Sequence, residues 1–262
     1  MNILVCIKQV PDDSMEVSAK DNKPALENIG KVVNAFDTYS LEMATRFKEA
    51  NDGEITVLSI GDKSTEKSLK NCLAVGGNKA VLVNDGEFMQ SDALEISHIL
   101  ASGIRKLEEE NGKEFDIIFC GKESTDTGCG QVGAQISEIL KRGFVSDIIE
   151  ISQKDDVFQF NQETEEGYNV VETSCPCVVT VAKPNYDPRY PTIKNKMKAR
   201  RMPIEPLEIS DVEEKIEKKG RYVKVINFYE PPKKEAGIKI QEEKCEDSTL
   251  KAIQIMSEAK VF

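Results

Sequence analysis

Over the first 140 residues, short β-branched runs alternate with longer amphipathic ones, and this alternation restricts the fold more than any other feature of the chain. The pattern predicts strands over Asn2–Ile7, Glu54–Ile60, Ala80–Val83 and Asp116–Cys120. It predicts helices near Thr38–Ala50, Thr65–Val75, Ser91–Glu110 and Gln131–Arg142. In the third helix Leu94, Ile96, Ile99, Leu100, Ile104 and Leu107 make a broad apolar stripe, and Ser91 and Asp92 supply a cap for its start. Strands and helices in this order build an α/β fold, a mostly parallel sheet covered by helices on both faces. Ligands of such sheets sit beyond the carboxyl ends of the strands, where Cys6, Ile7, Lys8, Asn34, Ser59, Ile60, Gly61 and the 120–133 loop are expected to converge.

That loop, FCGKESTDTGCGQVG over residues 119–133, is a buried strand emptying into a glycine-studded turn that becomes a helix. Glycines let backbone amides approach a phosphate, and the helix directs its unpaired N–H groups and positive dipole end at the anion. Gly128, Gly130 and Gly133 are placed for that role. Neither a GxGxxG nor a GxxxxGKS string occurs, which disfavours an ordinary dinucleotide fold or a P-loop. Spacing alone leaves both nucleotide binding and a plain strand-to-helix turn standing.

After Gly143 the texture changes. Val145–Ile151, Val157–Phe160, Tyr168–Thr173 and Cys177–Ala182 read as strands, joined by the acidic turn Asp155–Asp156 and by residues 163–167, so an antiparallel extension of the sheet is expected. From Pro184 onward the chain is rich in proline and charge and too poor in apolar residues for its own core. It reads as an extended arm ordered by lying on something else. The expected division is therefore an α/β nucleotide-binding domain over 1–183, followed by a docking loop and C-terminal arm with a terminal helix over 184–262. In that helix Leu250, Ile253, Met256 and Ala259 form an apolar edge that calls for a partner surface.

A formal net charge of −11 argues against general nucleic-acid or anionic-membrane binding. Against that background residues 183–201 carry seven cations and only Asp187 as an acid, which is either a solvated basic face or a dock for an acidic partner or a phosphate. No apolar run approaches the roughly 20 residues of a membrane span, and the chain starts directly on a strand, so a cytoplasmic protein is expected. Seven irregularly spaced cysteines contain no C-x-x-C pair, and Cys175 and Cys177 are expected to be buried thiols facing one side of a strand. The single histidine, His98, lies in an apolar helical stripe and reads as packing. With no Gly-x-Ser-x-Gly elbow and no acid cluster at ligand spacing, neither hydrolytic nor metal chemistry has its parts. A nucleotide pocket with so little acid–base equipment either binds without turnover or leaves the chemistry to a cofactor, and flavin suits the second case.

Four separated segments carry a resemblance. The start NILVCIKQVP (2–11), the turn Asn34-Ala35-Phe36-Asp37, the loop from Cys120 to Gly133, and DPRYPTIKNKMKAR (187–200) resemble, in order, the beta subunit of electron-transfer flavoproteins. Pro231-Pro232 followed by Ala236-Gly237-Ile238-Lys239 is similar to that family's C-terminal arm. The resemblance implies a heterodimer with an alpha subunit that holds an FAD of its own. It also implies a beta-subunit pocket filled by AMP in simple shuttles, and by a second FAD in members that oxidise NADH, including those that bifurcate electrons. Carried over by position, the nucleotide contacts would be Cys6, Asn34, Ala35, Phe36, Asp37, Ile60, Gly121, Asp126, Thr127, Gly128, Cys129, Gly130, Gln131, Val132 and Gly133. The loop that docks acyl-CoA dehydrogenases would map onto Tyr190, Ile193, Lys194, Met197 and Lys198, with Ile193 in the place of the apolar anchor. The alternative for Ile193 is an incidental exposed aliphatic.

Gly130-Gln131-Val132-Gly133 is similar to the FAD-type members, whereas AMP-type members usually carry asparagine and threonine where Gly130 and Val132 stand. Gly128 in place of the family's acid, Cys129 in place of threonine and Ala35 in place of proline depart from the pattern. The expectation is thus an FAD-holding redox subunit fed by NADH, with ferredoxin or flavodoxin as an added acceptor in a bifurcating version. An AMP-holding structural subunit is the alternative, and a stand-alone nucleotide-binding or hydrolase module is the third class. The long arm and the lack of hydrolytic groups count against that last one.

Overall fold

The computed structural model describes residues 1–21, 23–84, 91–154, 157–212, 222–230, 232 and 237–261. The first half contains β1 (Asn2–Cys6), β2 (Gln9–Pro11), β3 (Ala19–Lys20), β4 (Lys23–Pro24), β5 (Lys31–Val33), α1 (Ala35–Asn51), β6 (Glu54–Gly61), α2 (Glu66–Val75), β7 (Lys79–Asn84), α3 (Ala93–Asn111), β8 (Ile117–Gly121) and α4 (Val132–Leu140). The second half adds β9 (Gly143–Lys154), β10 (Val157–Thr164), β11 (Gly167–Ser174), β12 (Cys177–Val181), α5 (Ile193–Arg201), β13 (Glu205–Glu208), α6 (Ile209–Val212) and α7 (Cys245–Glu258). Nine strands form one sheet in the order β11-β10-β9-β12-β8-β1-β6-β7-β13, parallel throughout except for the pairings of β10 with its two neighbours.

The period-2 alternation of the strands sorts the core into two layers. Ile3, Val5, Ile55, Val57, Ile117, Phe119 and Val179 face α1 and α2, whereas Leu4, Leu58, Val81, Val83, Ile118 and Val178 face α3 and α4. The stripe read from α3 is buried at Ile99, Leu100, Ile104 and Leu107, and Asp92 caps that helix by accepting from the Glu95 N–H at 2.9 Å. His98 is buried on the same helix. Edge-on packing of Phe47 on Phe158 (5.7 Å) fixes the β9–β11 meander to α1, and Phe158 packs in turn on Phe160 of the same strand (6.2 Å), contacts of about 0.5–1.5 kcal/mol each beyond their burial.

Three expectations are corrected here. Within the nine-stranded sheet only the β9–β11 meander is antiparallel. β12 inserts between β9 and β8 as a parallel strand buried at all five residues, as its unbroken Cys-Val-Val-Thr-Val run requires of a strand covered on both faces. Cys175 precedes that strand and is exposed, while burial pushes the Cys177 thiol up to about 12. The stretch after Pro184 is more than an arm. α5 packs on α2, with Ala199 in the core and the Lys70 ammonium on the Met202 carbonyl, and β13 closes the sheet beside β7 with Pro206 on an edge strand that can spare an N–H. The expected turn Asp155–Asp156 and Pro231 and Ala236 of the arm motif lie outside the described residues. Among the described residues no helix is long and apolar enough to cross a membrane.

Candidate functional site

The carboxyl ends of β1, β6 and β8 meet the start of α1 and the loop from β8 to α4 at one edge of the sheet. Cys6 and Ile60 form part of its floor, 6% and 8% exposed. Cys6 neighbours Cys120 across the β1–β8 pairing, and contact with that thiol, followed by burial, pushes its own thiol well above the usual range. The buried Cys6 sulfur is apolar packing, not a nucleophile.

Asn34 occupies the N-cap position of α1 but does not cap the helix with its side chain. Its amide instead donates to the Glu123 carbonyl at 2.8 Å and accepts from the Thr125 N–H at 3.0 Å, fixing the loop 89 to 91 residues away. The fully buried Asp37 joins three segments. It accepts from the Lys8 N–H at 2.6 Å, and the Asn34 amide and the Gly121 N–H lie near enough to favour its charge. Burial raises its carboxyl to about 7 against those bonds and the Lys8 charge. A side chain on Gly121 would place a carbon 2.2 Å from the Asp37 carboxylate, so glycine is required for this closure.

The loop itself turns twice through the left-handed region, at Gly128 (φ 58°) and Gly130 (φ 61°). Nothing lies within 4 Å of where a Cβ on Gly128 would stand, and only the Lys122 carbonyl, at 3.5 Å, is near that of Gly130. Residues 125–131 are exposed, and no side chain caps the first turn of α4. An open helix N-terminus behind two bare glycines is a cradle suited to a nucleotide phosphate. Gly133 also has a packing role. Its Cβ would meet Thr180 at 2.5 Å, so it lets α4 lie close on β12. Thr127 and Cys129 point from the exposed rim, Gln131 precedes α4 and Val132 is half-buried beneath it. Ala35 is exposed beside the loop and Phe36 half-buried.

Lys8 is the residue whose part the sequence left undefined. Its ammonium lies 2.8 Å from Asp126 Oδ1 and 3.3 Å from Ser124 Oγ, and its backbone is held by Asp37 and by the Asn34 N–H. Its place directly after the first strand was the available signal.

The expected docking residues gather elsewhere. The segment begins as a loop at Tyr190 and becomes α5 at Ile193, capped by Thr192, which accepts from the Asn195 N–H at 3.1 Å. Tyr190 is 92%, Ile193 80% and Met197 55% exposed, and Ile193, Lys194, Met197, Lys198 and Arg201 line an open groove ending at Pro203. Arg189, just before this helix, donates from its side chain to Glu42 Oε2 at 2.8 Å and to Glu49 at 2.6 and 3.0 Å. Burial alone would raise the Glu42 carboxyl, but its bonds from Arg189 and Arg46 hold it below the usual range. This clamp, which spans 147 residues, has no sequence signature.

Residues 25–212 match the electron transfer flavoprotein domain family. The chain is 36% identical over 260 residues to the electron transfer flavoprotein subunit beta of Megasphaera elsdenii, covering 97% of this chain and 95% of that protein. It is 30% identical to the subunit of the same name from Bacillus subtilis over the whole of both chains. A third relative, the caffeyl-CoA reductase-Etf complex subunit CarD of Acetobacterium woodii, is 34% identical over 206 residues, 78% of this chain and 77% of its own. With the family match covering most of the chain and relatives at this identity over its full length, the chain belongs to the electron transfer flavoprotein family, on the side of its beta subunits.

Proposed function

We propose that this chain is the beta subunit of a cytoplasmic heterodimeric electron transfer flavoprotein and holds FAD in the loop between β8 and α4. The observation that carries the reading is the pair of left-handed glycines, Gly128 and Gly130, in front of an uncapped helix: they offer backbone N–H groups with no side chain in the way. Gly130 in particular leaves room that a diphosphate uses and a monophosphate does not need. Bound there, FAD supplies hydride and electron-transfer chemistry. The chain's own residues bind and orient it: Asn34 holds the loop, Asp37 holds the backbone of Lys8, and Cys6 and Ile60 supply an apolar floor.

In this reading NADH is the donor, and electrons leave through an alpha-subunit FAD to an acyl-CoA dehydrogenase-type partner, with ferredoxin or flavodoxin as the second acceptor if the complex bifurcates. The name of the A. woodii relative, a subunit of a caffeyl-CoA reductase-Etf complex, supports a partner acting on acyl-CoA compounds. Residues 1–183 form the nucleotide-holding part and 184–262 the docking part. There Ile193 and Met197 present an apolar face flanked by Lys194, Lys198 and Arg201, a composition suited to an apolar pocket with an acidic rim.

The test is the nucleotide content of the purified heterodimer, with the supernatant after denaturation assayed for FAD and AMP, and flavin absorbance followed on anaerobic addition of NADH. Two FAD per heterodimer, bleached by NADH, is the expected result. One FAD with one AMP, and no response to NADH, would make the chain a structural subunit of a simple shuttle.

A further inference from the structure

The loop proposed to receive phosphate is acidic. Between β8 and α4 it carries Glu123 and Asp126, in a chain of net charge −11. Its own cation, Lys122, is turned away toward Asp147 Oδ1 at 3.7 Å and Glu163 Oε2 at 3.9 Å. Asp126 stands two residues before Gly128, and bringing an uncompensated carboxylate within reach of a phosphate costs on the order of tenfold in affinity at the intermediate dielectric of a partly exposed site.

We propose that Lys8 is the charge-compensating residue of the nucleotide site: by holding the Asp126 carboxylate, its ammonium turns an acidic loop into one that admits the phosphates of an adenine nucleotide. The inference rests on the reading of this loop as the nucleotide site. Lys8 is anchored for the task, because its N–H is bonded to Asp37 and its carbonyl accepts from the Asn34 N–H at 2.9 Å. Only the side chain remains to adjust, and it reaches Asp126 and Ser124 while staying 41% exposed, open to an incoming anion. The Asp126 side chain is 26% exposed. Ion pairs this accessible contribute little to folding stability. The effect of the pair therefore falls on what binds beside it.

The experiment uses the heterodimer with its alpha subunit, prepared as wild type, Lys8→Met, Asp126→Asn and the double variant. Released FAD and AMP are quantified, affinities for AMP and FAD are measured by calorimetry on stripped protein at low and high salt, and thermal unfolding is recorded alongside. Lys8→Met is expected to weaken nucleotide binding about tenfold, with unfolding unchanged and a smaller loss at high salt. Adding Asp126→Asn is expected to restore most of that affinity, which a merely structural role for Lys8 would not allow. Wild-type affinity in Lys8→Met, or a double variant as weak as Lys8→Met alone, overturns the compensating role while leaving the nucleotide site in place. A wild-type complex that yields neither FAD nor AMP overturns the site, and the inference with it.

Discussion

Asp37 offers a quantitative test of how the floor of the site is assembled. Its carboxyl is buried beside Lys8 from the segment after β1 and Gly121 from β8, and burial lifts it from 3.8 to about 7. A folded-state value above the unfolded one means that the folded chain keeps a proton the unfolded chain has released. The associated stability is fully present below about pH 4 and is lost as pH rises through about 7, at about 1.4 kcal/mol per pH unit. Between pH 5 and 8 the loss comes to about 3 kcal/mol. Other carboxylates act with the opposite sign: Glu49, held low chiefly by its bond to Arg189, loses its contribution as pH falls. Urea unfolding followed by circular dichroism should therefore compare wild type with Asp37→Asn at each half unit from pH 5 to 8. The wild type is expected to lose about 3 kcal/mol relative to the variant over that interval. A difference that is flat, or that grows in favour of the wild type as pH rises, would refute a buried carboxyl titrating near neutrality.

The remaining predictions concern the glycine loop and the docking helix. Gly133→Ala forces a carbon to 2.5 Å from the Thr180 methyl and is expected to cost about 2 kcal/mol in chemical denaturation; Thr180→Ser, which removes that methyl and keeps the hydroxyl that accepts from the Asp147 N–H, should recover most of it. Gly130→Asn is expected to fold normally, since asparagine tolerates the left-handed region and meets only an ordinary contact there. The variant complex should nonetheless lose FAD on gel filtration, and full retention would defeat the steric argument for Gly130. Ile193→Asp, at a residue 80% exposed, should leave unfolding unchanged and lower the rate of electron transfer to the dehydrogenase at least about tenfold, with flavin content intact. An unchanged rate would leave Ile193 as a surface aliphatic.

Much of the architecture was legible because periodicity is a local property. Residues such as Ile3 and Val5 against Leu4 and Cys6 declare a two-faced strand wherever the strand ends up, and the stripe on α3 declares a helix with one buried side. The segment after Pro184 was not legible. α5 has a mostly cationic sequence and buries only Ala199, and β13 is a four-residue edge strand that contains Pro206, so neither carries a periodic apolar signal. The parallel setting of β12 was likewise hidden, because which neighbours a buried strand takes depends on the return path of the β9–β11 meander.

The sequence by itself determined the alternating α/β pattern, the glycine-rich turn and the residues that resemble a known family, since each is written in spacing along a few consecutive residues. Tertiary structure alone decided what those residues do for one another. Asn34 leaves its helix uncapped to hold a loop some 90 residues away, Asp37 requires Gly121, Gly133 serves helix packing, Arg189 is clamped by Glu42, and Lys8 meets Asp126 across 118 residues. The physical reason is that hydrogen bonds, charge compensation and close packing act over a few ångströms in space, and the chain records that proximity only after the sheet has set the order of its strands.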